Sequence, residues 1–174
     1  RQFLHSLTGT AAGLVLASPW RNVFADTADR SLSFFHTHTG EHLKLTYFSD
    51  GIYHAEALKE INHCLRDFRS NEIRPIDSRL LDILHIVQNT CNSKGTFEVI
   101  SGYRSPNTNQ LLRAQGHGVA EHSLHMEGKA IDVRLTDVDT AYLKKAAASL
   151  KRGGVGYYAQ SDFVHMDTGR VRYW

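Results

Sequence analysis

Cysteine is scarce in this chain of 174 residues, which contains only Cys64 and Cys91. Metal sites built on cysteine use closely spaced pairs such as Cys-x-x-Cys, and these two residues lie far apart in the sequence. Any metal site must therefore use other side chains. Both cysteines fall in segments with a helical pattern, where buried free thiols are common, although an oxidising compartment would permit a bridge between them.

A strong excess of charge of one sign is also missing. The chain has 20 Lys and Arg residues against 18 Asp and Glu residues, for a formal net charge of +2. Arg1 and Arg21 lie within the first 25 residues, and without these two the chain has 18 basic and 18 acidic residues and is neutral. A nucleic-acid-binding surface needs a concentrated basic face, so we expect no nucleic-acid partner. The apolar fraction of 41% and the length suit one soluble domain with a sizeable core.

Long apolar runs are absent too, because no stretch reaches the roughly 20 residues that a membrane-spanning helix needs. We therefore expect no stable membrane insertion. A shorter, mildly apolar stretch over residues 10–17 follows a basic start at Arg1 and precedes small residues that end at Ala25. This order predicts an export signal over residues 1–25 and a folded domain over residues 26–174. The first residues resemble a twin-arginine signal without its first arginine; the alternative is an amphipathic first helix of the fold.

The remaining chain interleaves strand and helix patterns. Apolar and polar residues alternate on both sides of a turn at 38–40, which predicts a β-hairpin over 31–48. Helical spacing predicts helices over 54–68, from 77 to about 92, from 105 to about 114, and over 137–150. Short strands are predicted at 97–100, 130–133, 154–158 and 163–167. This order predicts an α+β fold with a small, mainly antiparallel sheet packed against helices.

Histidine, unlike cysteine, is abundant, with 11 residues. His36, His38 and His42 fall in the predicted hairpin, where we expect them to face solvent. Two other histidines stand in more specific strings. His125 lies within Ser-Leu-His-Met-Glu-Gly-Lys-Ala-Ile-Asp at 123–132, and His165 lies within Phe-Val-His-Met-Asp at 163–167.

These strings predict a metal site. Asp132 and His165 fall on two predicted strands, and His125 falls in the loop that enters the first of them. Two adjacent strands and such a loop can bring three side chains to one point. A catalytic zinc site takes three protein ligands and keeps a fourth position for water. We therefore predict that His125, Asp132 and His165 bind Zn²⁺, the alternative being that the histidines are unrelated polar residues.

The same strings resemble peptidase family M15, the zinc D-Ala-D-Ala carboxypeptidases and L,D-endopeptidases of the bacterial cell wall. The motif of that family is Ser-x-His, six residues, Asp and a later His. The matching strings lie at 101–106 (Ser-Gly-Tyr-Arg-Ser-Pro), 123–132 and 153–169, and the resemblance extends over roughly residues 30–174. It implies a hedgehog/DD-peptidase-like fold and a zinc metallopeptidase that acts on peptidoglycan in the periplasm, nearest to the murein endopeptidases.

Amide hydrolysis also needs a group that takes a proton from the attacking water and gives it to the leaving amine. Asp162 and Asp167, on either side of His165, are the two candidates. Alternation along a strand places Asp167 on the face of His165, whereas Asp162 lies in a turn before the strand. The resemblance favours Asp162, because several family members carry the acid/base carboxylate at that spacing; relatives use Glu there as often, and Asp is one methylene shorter. Asp167 would then orient a ligand histidine.

Three further residues are predicted to act on the substrate. The planar guanidinium of Arg104 suits a carboxylate or a developing oxyanion, and the resemblance gives an arginine in a Tyr-Arg-Ser setting that role; the alternative is a structural ion pair. Ser123 is predicted to hydrogen-bond within the ligand loop beside the substrate. His122, together with His117, is a candidate for lining the cleft.

The leading functional hypothesis is zinc-dependent hydrolysis of peptide crosslinks in peptidoglycan during cell-wall remodelling, by a monomeric enzyme. One alternative is a D,D-carboxypeptidase or dipeptidase that trims stem peptides. Such an enzyme would need a second positive group for the terminal carboxylate, and the sequence does not identify one. The other alternative is a non-catalytic binding module that zinc stabilises.

Overall fold

The computed structural model describes residues 28–116 and 119–174, so the predicted export signal and His117 lie outside the described residues. Strands β1 to β8 are Arg30–His36, His42–Ser49, Ile52–Tyr53, Phe97–Ser101, Ala130–Leu135, Gly154–Tyr158, Phe163–Asp167 and Arg172–Tyr173. Helices α1 to α4 are Ala55–Cys64, Ser78–Thr90, Pro106–Ala114 and Thr140–Ser149, and a short 3-10 helix covers Leu124–Glu127.

The eight strands form one sheet in the order β3-β2-β1-β4-β5-β7-β6-β8. The β1–β4 and β6–β8 pairs are parallel, and the other neighbouring pairs are antiparallel. A mostly antiparallel sheet with four helices confirms the predicted α+β class. None of the helices in the described part of the chain has the length and apolar character needed to cross a bilayer.

Alternation along the central strands divides the sheet into a core face and a site face. Ile131 and Val133 of β5 and Val164 of β7 are fully buried in the hydrophobic core. Helix α4 packs against these strands and contributes to the same core. Asp132 lies between Ile131 and Val133, and His165 lies between Val164 and the buried Met166, so both polar residues point to the opposite face. The pattern that builds the core thus also gathers the polar groups.

Helix α1 is shorter than predicted, because it ends at Cys64 rather than continuing to Phe68. Leu65 is fully buried, so the apolar spacing that suggested a longer helix is real. However, the Leu65 carbonyl accepts a 2.8 Å hydrogen bond from the backbone N–H of Tyr103, in the segment that follows β4. This hydrogen bond replaces the one that a longer helix would make. A long-range backbone partner therefore overrides the local helical pattern.

The prediction that the hairpin histidines face solvent is wrong for His36. His38 and His42 are exposed, but His36 is completely buried and its ring lies edge-on to Phe68. His36 continues the inward-facing alternation of Leu32 and Phe34 along β1, which explains the error. Burial is also the main reason why its pKa falls to about 4.

Both cysteines are free thiols, Cys64 buried and Cys91 partly buried. Burial raises the pKa of Cys64 to about 11, so this thiol is protonated and unreactive near neutral pH.

Candidate metal centre

Two of the predicted ligands come from neighbouring strands. Asp132 on β5 is the direct antiparallel partner of His165 on β7. Direct partners share a face, which brings the Asp132 Oδ1 atom within 2.8 Å of the His165 Nδ1 atom. The central sheet therefore fixes the separation of these two ligands.

The third predicted ligand, His125, lies in the 3-10 helix that leads into β5. Ser123 caps this helix, and its hydroxyl accepts a hydrogen bond from the His125 backbone N–H, as the sequence predicted. Gly128 ends the helix with a φ of 67°, a left-handed conformation that favours glycine. The His125 carbonyl accepts a 3.2 Å hydrogen bond from the backbone N–H of Arg104, which ties the ligand loop to the segment after β4.

The three side chains form a tight triangle of ligand atoms. His125 Nε2 lies 3.2 Å from His165 Nδ1 and 3.3 Å from Asp132 Oδ1. A tetrahedral zinc ion with bonds of about 2 Å separates its ligand atoms by roughly 3.4 Å, so the triangle needs to widen only slightly to admit the ion. His125, Asp132 and His165 form the one group of this kind within residues 28–116 and 119–174. Their chemistry and spacing fit Zn²⁺.

Hydrogen bonds on the outer side of each imidazole favour this use. His125 Nδ1 lies 2.7 Å from the carbonyl oxygen of Gly102, which can only accept a hydrogen bond. His165 Nε2 lies 3.0 Å from Asp167 Oδ2. If each outer nitrogen carries the proton, the inner nitrogen of each ring presents its lone pair to the centre, as a metal requires.

The electrostatics of the triangle also favour a positive charge. Burial acts to raise the pKa of Asp132, but the neighbouring His125 and His165 outweigh it and hold the pKa well below the usual range. Burial acts to lower the pKa of His165, yet its hydrogen bonds with Asp132 and Asp167 raise that pKa to about 9. The site therefore retains a proton on His165 unless another cation takes its place, and a divalent metal ion is such a cation.

Asp167 lies behind His165, on the side away from the triangle. Its carboxylate is 1% exposed and accepts hydrogen bonds from the backbone N–H groups of Gly154 and Gly169 and from both terminal nitrogens of Arg172. Burial acts to raise the pKa of Asp167, but the hydrogen bonds of His165, the two backbone donors and Arg172 hold it well below its usual range. A carboxylate that stays ionised and fully bonded is suited to orienting His165 rather than to exchanging protons.

The structure does not bring Asp162, the favoured acid/base candidate, to the metal ligands. Asp162 has a φ of 52°, a left-handed conformation just before β7. Its Oδ1 atom accepts a 2.6 Å hydrogen bond from the Thr140 hydroxyl at the start of α4, and its Oδ2 atom lies 3.6 Å from Arg134. These residues line a separate cavity that contains none of the three ligands. The turn thus frees Asp162 from strand alternation, as expected, but directs it toward α4.

Arg104 lies beside the triangle with unused hydrogen-bonding capacity. The residue is 9% exposed, and its guanidinium lies 3.9 Å from Asp132 Oδ2. Its contacts with Asn109 and Ser101 are both long, at 3.4 Å, and its Nε atom has no hydrogen-bond partner among the described residues. Because a buried charged donor without full pairing is costly, this arrangement favours a negatively charged partner in the adjacent cavity.

A cavity of about 380 Å³ lies over the three candidate metal ligands. The predicted residues Arg104, His122 and Ser123 line it, and His122 is exposed. The aromatic and charged residues Tyr158, Phe163, Arg172 and Trp174 also line it and were not predicted from the sequence. Arg172 is a second positive group near the ligands, but Asp167 already pairs with both ends of its guanidinium.

The glycines of β6 indicate from the sequence that other groups, here Arg172 and Trp174, approach this strand closely. Gly154 and Gly156 alternate onto the site face, and glycine within a strand often marks a close approach of other groups. A side chain at 154 would collide with Asp167 and Arg172, and one at 156 would collide with the Trp174 ring. The two glycines therefore make room for the Arg172–Asp167 pair and for Trp174.

The site consists of a His-Asp-His triangle whose histidines are oriented by hydrogen bonds to their outer nitrogens. The triangle lies at the floor of a cavity that a buried arginine also lines. This combination is typical of metallopeptidases. Comparison with known proteins agrees, since residues 25–174 match the family described as peptidoglycan L,D-endopeptidase MepK. The chain belongs to this family.

Three relatives illustrate how far the similarity extends. The peptidoglycan L,D-endopeptidase MepK of Escherichia coli K12 is 40% identical over all of this chain and 96% of its own length. The enzyme of the same name from Shigella flexneri has the same identity and coverage. The probable peptidoglycan L,D-endopeptidase MepK of Haemophilus influenzae Rd is 37% identical over 97% of this chain and 92% of its own length.

Proposed function

We propose that this chain is a zinc-dependent peptidase that hydrolyses peptide crosslinks of peptidoglycan at L,D bonds. The observation that carries the proposal is the triangle of His125, Asp132 and His165, which faces a cavity also lined by Arg104. The names of the full-length relatives support the same activity. Zinc held there supplies a water molecule of lowered pKa and polarises the scissile carbonyl group.

Arg104 acts on the substrate in this proposal. Its guanidinium lies next to Asp132, so it can donate hydrogen bonds to the carbonyl oxygen of the scissile amide. Negative charge develops on that oxygen during attack, and a fixed cation in a partly dry cavity stabilises it. The long contacts of its terminal nitrogens, both 3.4 Å, leave donors available for this role.

His122 is proposed to carry the proton. The two carboxylates near His165 are directed elsewhere, Asp162 toward Thr140 and Asp167 toward the back of His165. His122 lines the cavity with an exposed imidazole, and imidazole is the commonest proton carrier in enzymes. It can accept a proton from the attacking water and return it to the leaving amine. Asp167 is proposed to hold the orientation and tautomer of His165, and Ser123 to hold the ligand loop.

Location and assembly form part of the proposal. Peptidoglycan lies outside the cytoplasmic membrane, so we infer that the chain works in the periplasm. Export by the twin-arginine route, directed by residues 1–25, and a monomeric state complete this account.

Digestion of purified sacculi tests the proposed activity against its alternatives. Zinc-loaded protein should convert crosslinked dimers into monomers without releasing free D-Ala. Release of D-Ala with the dimers intact would identify a carboxypeptidase instead. Sacculi that stay chemically unchanged while they retain the protein would identify a binding module.

A further inference from the structure

A half-exposed tryptophan lies beside the metal centre, and nothing in the metal chemistry requires it. The ring of Trp174 lies 5.3 Å from the ring of the ligand His165 and is 48% exposed. It lines the same cavity as the metal ligands. A large apolar ring that remains exposed at a reaction site is a feature of substrate binding.

Several contacts hold this ring in place. The Trp174 indole Nε1–H donates a 3.0 Å hydrogen bond to the Tyr158 hydroxyl, and the Arg172 guanidinium lies 4.9 Å from the centre of the indole. Tyr158 in turn stacks on Phe163, with ring centres 4.6 Å apart. The absence of a side chain at Gly156 lets the indole lie across β6. Trp174, Tyr158 and Phe163 therefore form one pre-organised aromatic wall.

Trp174 and Tyr158 of the wall lie on the side of the ligands away from Arg104. In the sheet order β4-β5-β7-β6-β8, Arg104 follows β4, whereas Tyr158 ends β6 and Trp174 follows β8. Asp132 on β5 and His165 on β7 lie between these two sides, and Phe163, which begins β7, joins the wall by stacking on Tyr158. A peptide whose scissile bond lies at the metal centre thus has the guanidinium on one side and the aromatic wall on the other.

Stereochemistry decides which peptides present apolar groups to one side. In an extended chain of L residues, successive side chains point to opposite faces. Inversion of one centre moves its side chain to the other face, so the two residues of an L–D pair present both side chains to the same face. A one-sided aromatic wall can contact both side chains of an L–D pair but only one side chain of an L–L pair.

We propose that the aromatic wall of Trp174, Tyr158 and Phe163 binds the two side chains that flank the scissile bond and so selects L–D over L–L peptide bonds. This inference rests on the proposed peptidase function and deepens it. An extended chain advances roughly 3.3 Å per residue. The separation of 5.3 Å between the Trp174 and His165 rings therefore places the wall beside the residues next to the cleaved bond rather than beside a distant glycan.

The proposal is tested with two synthetic peptides. They differ only in the chirality of the residue after the scissile bond. The full chain with Trp20→Phe is the parent, since Trp20 is the other of its two tryptophans and Trp174 then remains as the single tryptophan, which can be excited selectively at long wavelength. Variants Trp174→Ala and Trp174→Phe are added, with Tyr142→Ala as a control that removes an exposed aromatic side chain from α4. Zinc content is measured for each protein.

The parent should cleave the L–D peptide faster than the L–L peptide. Trp174→Ala should reduce kcat/KM for the L–D peptide by about tenfold, change the L–L value little and retain zinc; Trp174→Phe should lose less. In the chelator-treated parent, the L–D peptide should shift the Trp174 emission more than the L–L peptide does. Equal losses on both peptides, or an unchanged preference in Trp174→Ala, would contradict the role of the wall. If the zinc-loaded parent cleaves neither peptide, the proposed peptidase function fails, and the inference fails with it.

Discussion

Asp132 and His165 face each other as direct partners across β5 and β7, with Asp132 Oδ1 and His165 Nδ1 2.8 Å apart. Both residues are anchored by apolar neighbours that are buried on the other face of the sheet. Two of the three proposed metal ligands therefore inherit the rigidity of the hydrophobic core. His125 comes from the short 3-10 helix Leu124–Glu127, and its hydrogen bond to the Gly102 carbonyl fixes the ring.

The first prediction concerns the metal itself. Asp132→Ala removes the carboxylate whose Oδ1 atom lies within 3.3 Å of both ligand nitrogens, so its zinc content should fall to roughly a tenth or less of the wild-type content. Glu127→Ala removes an exposed carboxylate from the neighbouring 3-10 helix and should keep full zinc. Elemental analysis after dialysis measures both. Stoichiometric zinc in Asp132→Ala would show that the ligand assignment is incorrect.

The second prediction concerns the residue behind His165. Asp167→Asn replaces one carboxylate oxygen by an amide NH₂ and weakens the pairing with Arg172 and with His165 Nε2. Zinc affinity should fall by roughly 10- to 100-fold, because the ring loses its fixed tautomer and orientation. Competition with a fluorescent chelator measures the affinity. An unchanged affinity, together with a large loss of kcat, would instead favour Asp167 as the acid/base.

The third prediction separates Asp162 from His122. Asp162→Asn should keep kcat/KM within about twofold, since Asp162 is bonded to Thr140 outside the ligand cavity, whereas His122→Asn should lose about 10²-fold or more. Steady-state cleavage of a muropeptide dimer by zinc-loaded proteins provides the comparison. A large loss in Asp162→Asn with His122→Asn fully active would restore the carboxylate mechanism that the family resemblance implies.

The fourth prediction concerns the guanidinium of Arg104. Arg104→Lys keeps a positive charge but loses the planar arrangement of donors, so kcat should fall by roughly 10²-fold with zinc retained. Arg113→Lys, a change to an exposed arginine of α3, serves as the control and should be neutral. If Arg104→Lys changed only stability and left kcat intact, the alternative of a structural ion pair with Asp132 would be favoured.

The fifth prediction concerns acid stability. Asp67 is 1% exposed and accepts hydrogen bonds from the backbone N–H groups of Arg69 and Ser105. Burial acts to raise its pKa, but hydrogen bonds from Thr108, Ser105 and Arg69 lower it from 3.8 to about 2. A carboxylate whose pKa is lower in the folded state than in the unfolded state stabilises the fold. This stabilisation is fully present when the pH is above the pKa of the unfolded state, and it is lost as the pH falls through the pKa of the folded state.

Asp67→Asn should therefore reduce the free energy of unfolding by about 2 kcal/mol at pH 6, and the difference from wild type should shrink between about pH 4 and pH 2. Urea unfolding in the presence of a chelator measures it without a contribution from metal binding. Glu56→Gln, a change at an exposed carboxylate of α1, should show little difference at any pH. A difference for Asp67→Asn that does not depend on pH would contradict the assigned cause.

The sequence predicted the parts of the site that follow from regular strands. Asp132, His165 and the shared face of His165 and Asp167 follow from alternation along two strands rich in β-formers, and the structure has this arrangement. The direction of Asp162 could not be predicted in this way, because it depends on a left-handed turn and on Thr140, a partner from another element.

One other feature was beyond the local pattern for a related reason. Trp174 reaches the cavity because it follows β8, which pairs with β6. Since β8 has only two residues, the alternation of apolar and polar residues cannot predict this strand or its pairing. A long-range contact thus accounts for this miss. The burial of His36, in contrast, continues the alternation of Leu32 and Phe34 along β1 and could have been predicted from the sequence.

The most direct test of the central claim is the incubation of purified protein with muropeptide dimers of defined linkage, with and without a chelator, followed by mass spectrometry. We predict cleavage at the L–D crosslink bond that the chelator abolishes and that added zinc restores. Dimers that remain intact with a protein verified to hold one zinc ion per chain, or cleavage that the chelator does not affect, would contradict the account.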